Sequence, residues 1–196
     1  MNTNTQTTRT ATHSNKAART LRLALALSAV LSLSACVVPV QTVRHDPQPR
    51  VNTLKFVKAS GGHVPRGALQ AGADRKGEAL YVCSVRYNGA THLGKVRKGI
   101  GGCHIGFGGK EKGFSSYKVG LGYGNWASGK KGAIPYGAVA YGRESGQPLY
   151  VCRAMHRKGL KVMWQPGKVG PSTGGTCNFG YGGKEYRAKA YQVLMP

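Results

Sequence analysis

Carboxylates are scarce in this chain. Beyond residue 55 there are only Asp74, Glu78, Glu111, Glu144 and Glu185. None of them sits in a motif that would pair two as acid and nucleophile for glycoside hydrolysis. The sequence also lacks a nucleophile elbow, a phosphate-cradling glycine loop and a histidine pair at metal spacing. His45, His63, His92, His104 and His156 do not recur at matching positions of the internal repeat, and His104 beside Cys103 is an isolated neighbour pair. Of the five cysteines, Cys36 ends an apolar run, and Cys83, Cys103, Cys152 and Cys177 form an even set. In an exported chain an even set implies two disulfides, with three possible connectivities. Thiols held in disulfides are not nucleophiles. These residues predict a non-catalytic protein with no cofactor and no metal.

What abounds is positive charge. The chain carries 29 Lys+Arg against 6 Asp+Glu, a formal charge of +23, and 25 of those basic residues follow Cys36. Such an imbalance favours anionic surfaces: lipid headgroups, lipopolysaccharide phosphates, acidic glycans or nucleic acid. The basic residues are scattered in ones and twos with no run of five. There is therefore no stripe for nucleic acid, and that partner is not expected. The alternative reading of the charge is solubility and general adhesion in an anionic envelope.

The elements that must position any site begin after a targeting segment. Arg9, Lys16, Arg19 and Arg22 precede the apolar run LALALSAVLSLSA, Leu23 to Ala35, with no acidic residue before Asp46. This run is too short to span a bilayer comfortably and has the form of a signal-peptide core. It ends in Leu33-Ser34-Ala35-Cys36, which resembles the bacterial lipobox, whose cysteine is lipidated and becomes the new N-terminus. The expectation is a signal peptide over 1–35 and a lipid anchor at Cys36. The alternative is a plain signal peptide that leaves Cys36 an odd thiol. By resemblance to enteric lipoproteins, Val37 after the cysteine favours the outer membrane. Residues 36–54 then read as a tether with three prolines, and its flexible part would span about 23 Å root-mean-square.

The remainder is duplicated. The first copy gives Val64-Pro65-x-Gly67-Ala68, Leu80-Tyr81-Val82-Cys83, Gly94-Lys95-Val96, Cys103-x-x-Gly106-x-Gly108-Gly109-Lys110-Glu111 and Tyr117-x-Val119. The second gives Ile134-Pro135-x-Gly137-Ala138, Leu149-Tyr150-Val151-Cys152, Gly167-Lys168-Val169, Cys177-x-x-Gly180-x-Gly182-Gly183-Lys184-Glu185 and Tyr191-x-Val193. Five blocks in one order define a repeat, with copies at 55–122 and 123–196. The blocks are short, β-branched and aromatic, and Gly or Pro breaks them every few residues, so the fold class is all-β. Tyr81, Cys83 and Val85 share one strand face, while Leu80, Val82 and Ser84 share the other. One copy alone would be marginal in size, so the two are expected to pack as one β-sandwich-like unit. Equivalent placement favours Cys83–Cys103 and Cys152–Cys177, each worth about 3 kcal/mol in the chain-entropy model. Pairing between copies is the alternative. Of each Lys-Glu doublet, one member is expected to close a polar contact between copies and the other to be solvated.

Together the PxGA, LYVxRA, GKV, GGKE and YxVL blocks resemble the DM9 repeat family over about residues 55–196. The second copy is the cleaner match. The resemblance implies a tandem β-sandwich, and some relatives are lectins that bind mannose and microbial surface glycans. In those relatives an acidic residue nine positions after the proline and the GKV lysine contact the sugar. Carried over, these are Asp74 and Lys95 in copy one, and Glu144 and Lys168 in copy two. Copy two departs in its glutamate and in a longer loop, Leu160 to Pro166, before Lys168. A carboxylate accepts from vicinal sugar hydroxyls and an ammonium donates to sugar oxygens. Trp126, Trp164, Tyr81 and Tyr150 are aromatic faces available to cover the sugar's apolar side, although the two tyrosines also suit the core. The alternative for each charged pair is a surface ion pair worth under about 1 kcal/mol. The expected function is therefore glycan binding by a membrane-anchored envelope lipoprotein. Its alternative is a basic adhesin gripping lipopolysaccharide or peptidoglycan by charge. A homodimer is compatible with either.

Overall fold

The computed structural model describes residues 53–196. The expected signal peptide, the expected lipid attachment at Cys36 and nearly all of the expected tether lie outside the described residues. The described chain is all-β. Copy one forms β1 (Lys55–Ser60), β2 (Gln70–Ala73), β3 (Ala79–Tyr87), β4 (Ala90–Val96), β5 (Cys103–Phe107), β6 (Lys110–Phe114) and β7 (Ser116–Leu121). Copy two forms β8 (Asn125–Lys130), β9 (Ala140–Glu144), β10 (Gln147–Lys158), β11 (Lys161–Val169), β12 (Cys177–Tyr181), β13 (Lys184–Ala188) and β14 (Ala190–Met195). The order β1-β7-β3-β4-β5-β6 in copy one is matched by β8-β14-β10-β11-β12-β13 in copy two, and β6 meets β13 between them.

The repeated blocks have identifiable local jobs. In each Pro-x-Gly-Ala block the alanine amide returns to the proline carbonyl, Ala68 to Pro65 at 3.3 Å and Ala138 to Pro135 at 3.2 Å. The glycine between them takes φ +79° or +86°, where a side chain would be strained. The tyrosine of the last block ties this loop to the final strand: the Tyr117 hydroxyl donates to His63 O at 2.8 Å, and that of Tyr191 to Ala133 O at 3.1 Å. Both disulfides form within copies, Cys83–Cys103 and Cys152–Cys177, with Cα atoms 5.9 and 6.0 Å apart.

The two copies do not merely abut; they exchange strands. β9 pairs with β10 of its own copy and also with β4 of copy one, where Arg143 faces Thr91. β2 pairs with β3 and lies against β11, where Gln165 Nε2 donates to Ala73 O at 3.2 Å. The strands β3-β2-β11-β10-β9-β4 thereby form a small barrel, paired all round except between β2 and β11, which meet through packing and the Gln165 side chain.

Strand alternation divides the apolar residues among three cores. Leu69, Ala71, Val82 and Leu93 of copy one meet Leu149 and Val151 of copy two in a shared core, joined by Leu54 and Leu194. Leu54, at the end of the expected tether, is thus already part of the fold. On the opposite face of β3, Cys83 and Val85 pack with Val96, Cys103, Ile105, Tyr117 and Val119 around the first disulfide. Cys152, Ala154, Val169, Cys177, Phe179, Tyr191 and Val193 do the same around the second.

The glycine of each Gly-Lys-Val block exists because a backbone crosses there. A Cβ on Gly94 would collide with the carbonyl of His104, and one on Gly167 with that of Asn178. Neither obstacle is the movable end of a side chain, so the strands must part. Gly94→Ala or Gly167→Ala should cost about 1–3 kcal/mol as an overpacking defect. Thermal unfolding checks this: each variant should melt several degrees lower, and an unchanged Tm would show that the crossing is loose.

Candidate functional site

The two GKV lysines leave their own copies and reach into the other. Lys95 on β4 is 4% exposed and Lys168 on β11 is 2% exposed. Each ammonium sits beside a side chain three residues before the other lysine. Lys95 Nζ donates to Gln165 Oε1 at 2.6 Å, and Lys168 Nζ lies 2.7 Å from His92 Nδ1. Each is also close to an aromatic ring of the opposite copy, Tyr181 at 5.3 Å and Phe107 at 5.2 Å from the centroids. Burial pushes both ammonium groups below the ordinary lysine pKa, opposed by Glu111 at Lys95 and by Glu144 and Glu185 at Lys168.

Reciprocal glutamates lock this arrangement. Glu111 Oε2 accepts the Gly183 amide at 2.9 Å, and Glu185 Oε2 accepts the Gly109 amide at 2.9 Å. The backbones repeat the exchange, with Glu111 N to Gly183 O and Glu185 N to Gly109 O, both at 3.0 Å. A Cβ on Gly106 would strike the Phe179 backbone, and one on Gly180 would come within 2.6 Å of Glu111 Cγ. The first glycine of each Gly-x-Gly-Gly-Lys-Glu block is therefore the space that the other copy's glutamate junction occupies. Lys110 and Lys184 are exposed, so the glutamate of each doublet closes the contact and the lysine is solvated.

Two clefts result, one at each lysine, and their chemistry has diverged. The first, about 320 Å³, is lined by Asp74, Lys95, Arg97, His104, Glu111 and Tyr181, among others. Its polar groups are occupied by one another. Asp74 Oδ1 accepts the amides of Lys76 and Glu78 at 2.8 and 3.0 Å, while Oδ2 meets Arg97 Nε at 3.2 Å. Burial raises the Asp74 pKa, but those amides and Arg97 outweigh it, leaving it below the ordinary value. The Lys95 ammonium is shared among Gln165, the Gly180 carbonyl and Glu111, whose Oε1 is 3.5 Å away. Asp74 and Lys95 do not touch directly. The surface ion pair considered as the alternative is absent here, because Lys95 is buried and Asp74 pairs with Arg97.

The second cleft, about 380 Å³, lies between the β3–β4 turn (Asn88, Gly89) and the β9–β10 turn (Ser145, Gly146) and is lined by His92, Phe107 and Glu144. It is far less consumed. Glu144 Oε2 accepts from Ser172 Oγ at 2.9 Å, and Oε1 stands 3.8 Å from His92 Nδ1. Lys168 sits behind His92 and makes that single hydrogen bond among the described residues. Burial and the Lys168 charge push the His92 pKa down, opposed by Glu144 and the Tyr87 carbonyl, and the net shift favours the neutral ring. Its Nδ1 accepts from the ammonium, which assigns the proton to Nε2. That Nε2 is buried and makes no hydrogen bond of good geometry among the described residues, although the Tyr87 carbonyl acts on the ring from nearby.

None of the four aromatic candidates lines either cleft. Trp126 and Trp164 clamp Arg153, whose guanidinium carbon is 4.2 and 4.8 Å from their ring centroids. Tyr81 and Tyr150 pack on the two disulfide cores. The rings at the lysines are Phe107 and Tyr181, which occupy the same x of Gly-x-Gly-Gly in the two copies. An aromatic at both positions was the available signal. His92 and Gln165 stand three residues before Lys95 and Lys168, but their different chemistry concealed the equivalence. No group of three or more His, Cys, Asp or Glu among the described residues is arranged to hold a metal ion.

The copy-one junction carries a pH signature. Burial pushes the Glu111 carboxyl up, but His104, the Gly183 amide and Lys95 outweigh it and lower it from 4.5 to about 2. The folded value is depressed, so this stability is complete above the ordinary carboxyl pKa and is lost as pH falls towards the folded one. The difference corresponds to on the order of 3 kcal/mol, with little solvent discount at 12% side-chain exposure. Glu111→Gln should flatten the fall of Tm between about pH 5 and pH 2. A mutant profile with the wild-type slope would remove Glu111 from the acid response.

No curated protein matches the sequence. Among solved structures the chain is similar to the nematode sperm cell motility protein MFP2B, with 14% identity and a TM-score of 0.49. The match covers 74% of this chain and 45% of that one, so this chain spans under half of its length. Residues 29–114, which include the first copy's Pro-x-Gly-Ala, Gly-Lys-Val and Gly-Gly-Lys-Glu blocks, match the model of the DM9 repeat. The first copy is thus similar to the DM9 repeat, and the match covers less than half of the chain.

Proposed function

We propose that this protein is a non-catalytic, glycan-binding lipoprotein of the bacterial envelope, anchored through Cys36, and that the Glu144 cleft is its principal sugar site. The observation that carries this reading is the unspent hydrogen-bonding capacity of that cleft. Glu144 retains acceptor positions and Phe107 supplies an apolar wall, while His92, which lines the cleft, keeps a buried Nε2 without a partner that a small rotation of the ring would turn to the ligand. A sugar needs these three together: acceptors for vicinal hydroxyls, a donor for a ring or hydroxyl oxygen, and a face for its C–H surface. Lys168 keeps His92 neutral and fixes its tautomer from behind, while its own remaining N–H donors add positive potential at the base of the cleft. The Asp74–Lys95 cleft has the same plan, but Arg97, Gln165 and Glu111 already occupy its groups, so it is the weaker site.

A second reading is a basic adhesin that grips lipopolysaccharide or peptidoglycan, favoured by the +23 charge. Salt separates the two, because exposed charges are screened within about 5 Å or less at about 0.5 M.

Glycan-array binding at low and at high salt, followed by calorimetry with neutral sugars of the mannose type, tests the proposal. Binding to neutral sugars should survive high salt. Glu144→Gln should weaken it about 10- to 100-fold, the worth of a hydrogen bond to a charged group, while Asp74→Asn should change it far less. Binding confined to acidic glycans and abolished by salt would sink the sugar site and leave the adhesin.

A further inference from the structure

The β10–β11 hairpin differs from its counterpart in copy one. Fifteen residues separate Cys152 from Lys168, against eleven between Cys83 and Lys95. The four extra residues lengthen the hairpin beyond the barrel by about two residue pairs, or ~6–7 Å. Lys158 pairs with Lys161 at its end, and Gly159 takes φ +60°, the conformation a tight hairpin turn gives to glycine.

The lengthened hairpin has two unlike faces. His156 and Met163, a facing pair, are 8% and 6% exposed and point into the protein. The next residues along each strand present the other face, where Met155 is 63% and Val162 49% exposed. Leu160, at the turn itself, is 99% exposed. In copy one the corresponding region hides its apolar groups: Tyr87 packs on Phe107 and Phe114, and Ala90 is buried. Arg157, Lys158 and Lys161 surround Leu160 and are exposed. No acidic residue occurs between Glu144 and Glu185. At the base of the same outer face stands Trp164, stacked on Arg153.

An apolar tip inside a collar of cations, with an indole set back from it, matches the layers of an anionic bilayer surface in order. Acyl chains would receive Leu160, phosphates the Arg157, Lys158 and Lys161 collar with Val162 beside it, and the headgroup zone the tryptophan. A protein partner of complementary shape would not require a collar of uniform sign around so small a tip. We propose that the β10–β11 hairpin is a membrane-insertion finger for anionic lipid. It uses none of the residues of the Glu144 cleft, so it stands or falls independently of sugar binding.

The test places an environment-sensitive fluorophore at the tip of the full chain through Leu160→Cys, with Cys36→Ser removing the competing thiol. A second protein carries the probe through Asn88→Cys, at the shorter hairpin turn of copy one. Vesicles of phosphatidylcholine mixed with phosphatidylglycerol should shift the tip probe to the blue and raise its emission several-fold. Pure phosphatidylcholine should do so weakly, and the Asn88 probe should respond to neither. Adding Arg157→Glu and Lys158→Glu should lower the lipid affinity of the tip response at least tenfold. The proposal is overturned if the tip probe stays unshifted on anionic vesicles, or if both probes shift equally. A shift that follows protein concentration without lipid overturns it too, and identifies the hairpin as a contact between two copies of the chain.

Discussion

Each copy's short strand, β2 or β9, lies against the hairpin of the other copy, and this reciprocal exchange is the constraint on which the other features depend. It completes the barrel, with β9 paired to β4 on one side and β2 packed on β11 on the other. It also explains why the shared core draws Leu69, Val82 and Leu93 from one copy and Leu149 and Val151 from the other. A single copy would expose half of that core and leave its strand without a second neighbour. The cost of ordering the chain is met only when both halves are present.

The same exchange makes buried charge tolerable. A lysine withdrawn from water is expensive unless its ammonium is paired and hydrogen-bonded. Lys95 satisfies this with Gln165, the Gly180 carbonyl and Glu111, drawing two of the three from copy two. Lys168 receives only His92 by direct hydrogen bond, and Glu144 and Glu185 act on it at longer range. One duplicated position has thus become two different devices. In copy one the carboxylates and cations saturate each other and serve the fold. In copy two the network is left incomplete, and incomplete buried polar networks are costly unless something outside the chain completes them.

Much of this architecture was legible in the sequence because its physics is local or repeated. The all-β class followed from short apolar blocks broken by Gly and Pro, and the face assignment of Tyr81, Cys83 and Val85 followed from the two-residue period. The intra-copy disulfides followed from equivalent cysteine positions. What remained hidden is the contact between copies, since nothing in β2 or β9 names a partner far away in the chain, such as Thr91 for Arg143. For that reason the sequence does not mark Gln165 and His92 as lysine partners, and it presents Trp126 and Trp164 as free aromatic faces although they clamp Arg153. The glycines carried more information than their turn role suggested. Gly94, Gly167, Gly106 and Gly180 each mark a point where another strand or a glutamate of the other copy fills the space of a Cβ, a signature of close approach that sequence alone reads only as permissive backbone.

Duplication explains why such divergence could accumulate without loss of the fold. The structural duties, namely the disulfides, the paired glutamates and the crossing glycines, are held by residues identical in both copies. The variable positions are those facing the clefts and the hairpin tips: Gln165 against His92, Tyr181 against Phe107, Asp74 against Glu144, and a four-residue extension at Leu160. Changes there alter hydrogen-bonding capacity and exposed surface while leaving the barrel intact. The division follows from the physics of the site, because a crossing glycine admits no side chain, whereas a cleft residue admits any that satisfies the buried lysine behind it.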